Sequence, residues 1–175
     1  MTSLILFDLT IALLYFLGAL FYLAGVLGKN STLKRACLGI TLTAFGLHTV
    51  DLGLKFLVEH NFVLSQGQFY LSLLAWTFLL IYFLVWWRLK LQFLALTAAP
   101  LALILFTSSM ALNTTPLQVP SQMSGLWFGL HVAALFLSIA LLAMAFGAGL
   151  CYIYVDKQIK DKTRPGRLRR DFPAL

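Results

Sequence analysis

The residues with the greatest chemical potential in this chain form a line: Thr41, His48, Asp51 and Lys55, with Glu59 beyond them. Their spacing of seven, three, four and four places them on one face of a helix. The surrounding sequence is apolar, and an ionisable side chain in such a stretch is costly enough to call for a functional hypothesis. His48 is the centre of interest. Asp51, one turn away, is placed to orient an imidazole, and Lys55 to balance the carboxylate. Neutral imidazole is a metal ligand, so the line reads either as a ligand site or as a self-satisfied polar cluster that specifies helix packing. His131, one turn after Trp127, is a second candidate; it reads either as a ligand or as an ordinary interfacial histidine. His60 lies in a polar turn and reads as solvated. The sequence contains no paired-carboxylate site, no nucleophile beside a base, no phosphate-cradling glycine loop and no HExxH.

Five long apolar runs must position these residues, at about 4–27, 35–57, 69–87, 91–111 and 125–155. Each approaches or exceeds the ~20 residues that a helix needs to cross a hydrocarbon layer about 30 Å thick. The expectation is an all-α, polytopic transmembrane helix bundle of about five spans. It divides into a transmembrane domain over 1–155 and a basic tail over 156–175. Of the 13 Lys and Arg residues, only Lys55 falls beside the second or fourth connection. The rest crowd the first and third connections and the tail. By the positive-inside rule the N-terminus is outside and the C-terminus cytoplasmic.

Composition agrees with this reading. Hydrophobic residues make up 61% and charged residues 11%, against roughly half and about a quarter in soluble domains. The formal charge of +7 does not point to nucleic acid. Its excess sits in short inner loops and the tail, where it sets topology and meets anionic lipid. The first run lacks a basic leader region and a clear small-residue cleavage site, so it reads as a retained anchor. Cys37 and Cys151 both fall near cytoplasmic ends of spans, which argues against a structural disulfide.

Local features refine the picture. Trp86 and Trp87 beside Arg88 and Lys90 match an interfacial belt. Pro100 inside the fourth run removes a backbone donor and predicts a kink. The loop 113–124 carries Pro116 and Pro120 and no charge, so it either covers a site or lies against the bilayer. The fifth run is long enough to tilt or project, and its Gly125, Gly129, Gly147 and Gly149 permit close helix contact.

Several motifs carry a resemblance. Ser72-Leu-Leu-Ala-Trp76, the run to Trp87-Arg-Leu-Lys90 and Pro100 resemble the N-terminal region of the CcsA/HemX-like cytochrome c assembly family. His131-Val-Ala-Ala-Leu-Phe-Leu-Ser, followed by Gly147, Gly149, Leu150, Tyr152 and the basic tail, resembles that family's next segment. The resemblance implies a polytopic haem-handling protein of the bacterial cytoplasmic (inner) membrane, which carries haem to the outer face for attachment to apocytochrome c. It implies that His131 ligates b-type haem iron from the outer side and that His48 holds haem within the membrane. Asp51, Lys55 and Trp127 would support them. A haem can lodge between helices because the macrocycle is apolar while its propionates seek water or a cation. By rise per residue His48 lies roughly 10 Å deeper than His131, so two separate sites are expected rather than one shared iron.

Family members continue past the basic loop into a tryptophan-rich outer segment of the WGxxWxWDPKE kind and further spans with partner histidines. This sequence ends at Phe172-Pro-Ala-Leu175. The expectation is a chain truncated relative to its family, or one whose remainder comes from another chain. Expected partners are membrane lipid, haem, and other cytochrome c maturation proteins or the chain supplying that segment. No catalytic residue is expected; the family role is transport and presentation. Two alternatives stay open: a membrane regulator of haem biosynthesis whose basic tail contacts a soluble enzyme, and a non-haem structural subunit of a membrane complex.

Overall fold

With no water to satisfy backbone groups in a bilayer, an apolar chain must bond its own amides within helices. The computed structural model describes residues 2–28, 30–58, 67–89, 92–112 and 126–160, and among them every regular element is helical. The helices are α1 (Thr2–Leu27), α2 (Ser31–Val58), α3 (Gly67–Leu89), α4 (Ala95–Ala111) and α5 (Leu126–Lys160), with a 3-10 turn at Gln92–Leu94 leading into α4. Four of them are long and apolar enough to cross a membrane. These are α1, α2, α3 and α5; α4 is a shorter apolar helix of 17 residues that rises about 26 Å, close to the hydrocarbon thickness. The protein is thus an all-helical membrane bundle.

The boundaries differ from the sequence expectation in informative places. The fifth helix runs on to Lys160 instead of ending near residue 155. Its last turn carries an ion pair, Lys160 Nζ to Asp156 Oδ2 at 2.8 Å, at the i,i+4 spacing that supports a solvated helix end. This pairing also raises the lysine's pKa, first through the hydrogen bond to Asp156 and then through its charge. Pro100 sits within α4, which continues unbroken from Ala95 to Ala111. The loop with Pro116 and Pro120, together with His60, Glu59, Lys29, Lys90, Gly125 and the tail beyond Lys160, lies outside the described residues.

The first two helices form an antiparallel pair whose start is set by a side chain. Asn30 accepts from the backbone N–H of Thr32 at 2.9 Å and of Leu33 at 3.4 Å, capping α2. Close approach depends on glycine: a Cβ on Gly18 would stand 2.5 Å from Thr41 Oγ1. The fifth helix uses the same device, because a Cβ on Gly147 would collide with the Thr97 side chain of α4. Small residues at such crossings let membrane helices touch through their backbones.

Two buried clusters hold the bundle together. One joins Ile11, Tyr15, Ala44, Ala75, Leu79, Ala102 and Phe106, from α1 to α4. The other includes Tyr22, Cys37, Phe78, Tyr82, Ala98, Ala140, Met144 and Cys151, and it is the one that α5 joins. The two cysteines are free thiols. The bundle exposes large apolar side chains on its periphery, among them Leu13, Phe16, Leu54 and Leu142, which is the surface that lipid covers.

Candidate functional site

The line of polar residues on α2 does face inward. Thr41, His48 and Asp51 are buried, and His48 is wholly inaccessible. Opposite them α1 carries Asp8, Tyr15 and Tyr22 at seven-residue spacing, and the antiparallel pair matches Asp8 with Lys55 and Tyr15 with His48. Thr41 Oγ1 lies 3.8 Å from Cys37 Sγ.

At the centre, His48 is held on both sides. Its Nδ1 is 2.8 Å from the Tyr15 hydroxyl. Its Nε2 is 2.8 Å from Ser72 Oγ on α3. Phe106 of α4 closes the remaining edge, with ring centroids 4.7 Å from His48 and 5.8 Å from Tyr15. Helices α1, α2, α3 and α4 thus converge on one imidazole.

Asp51 does not orient this ring. One turn along, Lys55 Nζ donates to Asp51 Oδ2 at 2.7 Å and to Asp8 Oδ1 at 3.0 Å. A single ammonium is shared by two carboxylates, and the expected Asp51–His48 bond is replaced by Tyr15 and Ser72. The reason is geometric: a side chain one turn away on the same helix competes with facing helices, and here the longer reach of Lys55 takes the carboxylate.

Beside this node, α2 and α3 meet at a second pair. Trp76 Nε1 donates to Thr49 Oγ1 at 2.8 Å, and the Trp76 indole stacks on Phe45 with centroids 5.5 Å apart. Thr49 is exposed at the rim of the bundle. This contact is therefore the lipid-facing edge of the seam that Ser72 closes inside.

His131 is elsewhere. The packed face of α5 is Ala140, Met144, Gly147 and Cys151, and at 100° per residue His131 falls on the opposite side, in line with Ser138 and Gly149. It is exposed, as are its i−4 and i+4 neighbours Trp127 and Leu135. Gly147 of α5 meets Thr97 of α4; counting rise from that crossing, His131 stands about 24 Å and Phe106 about 14 Å toward the same end. The two histidines are separated in depth, and His48 is sealed inside the bundle while His131 is on its periphery.

Among the described residues no group of three or more His, Cys, Asp or Glu side chains is placed to hold a metal. The chain matches no known protein family, no curated protein and no solved structure. The functional reading therefore rests on the residues themselves.

Sequence reasoning missed Asp8, Tyr15, Ser72 and Phe106. The seven-residue step from Asp8 to Tyr15 to Tyr22 was a usable signal, since it mirrors the step from Thr41 to His48 to Lys55. Ser72 stood out only as part of the Ser72-Leu-Leu-Ala-Trp76 motif, with nothing to pair it with His48, and Phe106 was one phenylalanine among 15.

Proposed function

We propose that this chain is a haem-handling integral membrane component of cytochrome c biogenesis in the bacterial inner membrane. Its polar Asp8–Lys55 end and His131 face outward, and its basic end faces the cytoplasm. The observation that carries the reading is His131. Its imidazole stands on the open back of α5, exposed and flanked one turn away on each side by the apolar side chains of Trp127 and Leu135. A histidine facing lipid is costly unless it has a partner, and an apolar macrocycle with an iron centre offers both a bond and a matching surface.

The donor chemistry suits haem at His131, where nothing among the described residues blocks the ring. Haem bound there would bring a redox-active iron and reactive vinyl groups, and the chain's part is to supply an axial nitrogen and an apolar bed for the ring. At His48 the donor is of the right type, but both nitrogens are already engaged. Lys55 is committed to Asp8 and Asp51 and is not free to meet a propionate.

Protein purified in mild detergent is expected to carry haem with a Soret band. His131→Ala should remove the haem, since both nitrogens of His48 are engaged. Unchanged haem content in His131→Ala would overturn the proposal.

One observation favours a second reading, a non-haem subunit of a membrane complex. His48 bridges three helices as a sealed node, which is how polar residues act as interhelical glue. Loss of assembly in Asp51→Leu with no haem phenotype would support it.

A further inference from the structure

Charge does not balance at the outer end of α1 and α2. Of the 13 Lys and Arg residues, Lys55 alone lies toward that end; the rest fall in the inner connections and the tail. It meets two carboxylates there, Asp8 of α1 at 3.0 Å and Asp51 of α2 at 2.7 Å. The Asp51 side chain is 3% exposed, that of Asp8 14% and that of Lys55 28%. Two anions thus share one cation inside a membrane bundle, where an unbalanced charge is costly. The two carboxyl groups also lie within hydrogen-bonding reach of each other. Ionised carboxylates only accept hydrogen bonds, so this contact is favourable once one of them carries a proton.

From this deficit we infer that Asp8 and Asp51 hold one proton between them beside the Lys55 ammonium, and that this proton fastens the outer end of α1 to α2. The group is then neutral, with one ammonium, one carboxylate and one carboxylic acid whose O–H donates to the other carboxyl. A proton suits this place better than a metal ion. Lys55 already takes an oxygen of each carboxylate, whereas a hard cation gathers about six oxygen ligands. No other described group at this end supplies the missing positive charge. Tyr15 of α1 and His48 of α2 lie further inward and are bonded to each other. On the neighbouring helices, α3 begins here with Tyr70 as its one ionisable residue, and α4 ends here with Thr107, Ser108 and Ser109. Glu59 and His60 follow Lys55 outside the described residues. The proton reaches the pair from the outer surface through Asp8 and Lys55, its partly exposed members. Losing it leaves two carboxylates repelling across the α1–α2 crossing, so occupancy of the pair and closure of this end go together. The inference uses no property of His131 and holds whether or not the chain carries haem.

The test is infrared difference spectroscopy on the full chain in phosphatidylcholine vesicles at neutral pH, reading the carbonyl stretch of a protonated carboxylic acid and its shift in heavy water. The chain has six acidic residues, few enough for variant spectra to subtract the signals of the other four. The parent should show one such band belonging to the pair. Asp8→Asn and Asp51→Asn should each abolish it, since the carboxylate that remains pairs with Lys55 alone. Lys55→Gln should roughly double it, because two carboxyl groups without a cation both take up a proton. That arm keeps both acids in place and serves if an asparagine variant fails to fold, which circular dichroism of the same samples reads.

A parent with no such band overturns the inference. So does a band that survives in a folded Asp8→Asn or Asp51→Asn protein, or a Lys55→Gln spectrum equal to the parent's. Loss of the parent band on adding sodium ions at constant pH would place a metal ion where the proton is assigned, and overturns it as well.

Discussion

The Tyr15 hydroxyl and Nδ1 of His48, 33 residues apart in sequence, stand 2.8 Å from one another in the middle of the bundle. With Ser72 on the other side of the ring, this makes one imidazole the shared fastening of α1, α2 and α3. Its removal should be felt by all three.

Tyr15→Phe and Ser72→Ala should each cost about 0.6–1.7 kcal/mol, the range for interhelical hydrogen bonds within membranes. Because both act through one ring, their effects should couple in a double-mutant cycle. Unfolding in mixed detergent, followed by circular dichroism, measures this. Strict additivity of the two losses would mean that His48 does not link them.

Lys55→Met should be more damaging than either. It leaves Asp8 and Asp51 facing each other with no cation between them; removing one partner of a fully buried pair costs about 3–5 kcal/mol, and the partial exposure of Lys55 and Asp8 sets the loss below that range. Adding Asp8→Asn and Asp51→Asn to Lys55→Met should return much of that loss. Thermal melting of the triple variant no better than that of Lys55→Met would show that the charges do not act as a unit.

Gly18→Val should force α1 away from α2, since its Cβ would sit 2.5 Å from Thr41 Oγ1. Overpacking of this kind costs about 1–3 kcal/mol. Thr41→Ala clears the colliding oxygen and should recover part of the loss, read as a rise in melting temperature from the single to the double variant.

Topology is open to direct labelling. In a chain lacking Cys37 and Cys151, Lys157→Cys should react with a membrane-impermeant maleimide only in inverted vesicles, and Leu57→Cys only in right-side-out ones. Both sites are exposed at opposite ends of the bundle. The reverse pattern would invert the orientation and remove His131 from the outer face.

Much of this architecture was legible without coordinates. Long apolar runs leave a chain no option but helices across a bilayer, because unpaired amides there are too costly. Periodicity alone placed Thr41, His48 and Asp51 on one face, and cost alone turned that face inward. The depth difference between His48 and His131 followed from rise per residue.

Which neighbour each polar group would find was not legible. In lipid, apolar surface does not discriminate between helices, so the pairing of helices is decided by small-residue contacts and by hydrogen bonds between facing side chains. Gly18 against Thr41 and Asn30 capping α2 set α1 beside α2, and this brought Tyr15 to the imidazole and Asp8 to Lys55 in place of an Asp51–His48 bond. Gly147 against Thr97 docked the other half of α5 and left His131 on its open back. Composition and spacing determined that the chain crosses a membrane and which face of α2 is polar; only tertiary packing decided that His48 is sealed and His131 exposed, because helix contacts depend on the shapes of facing surfaces that one-dimensional spacing does not encode.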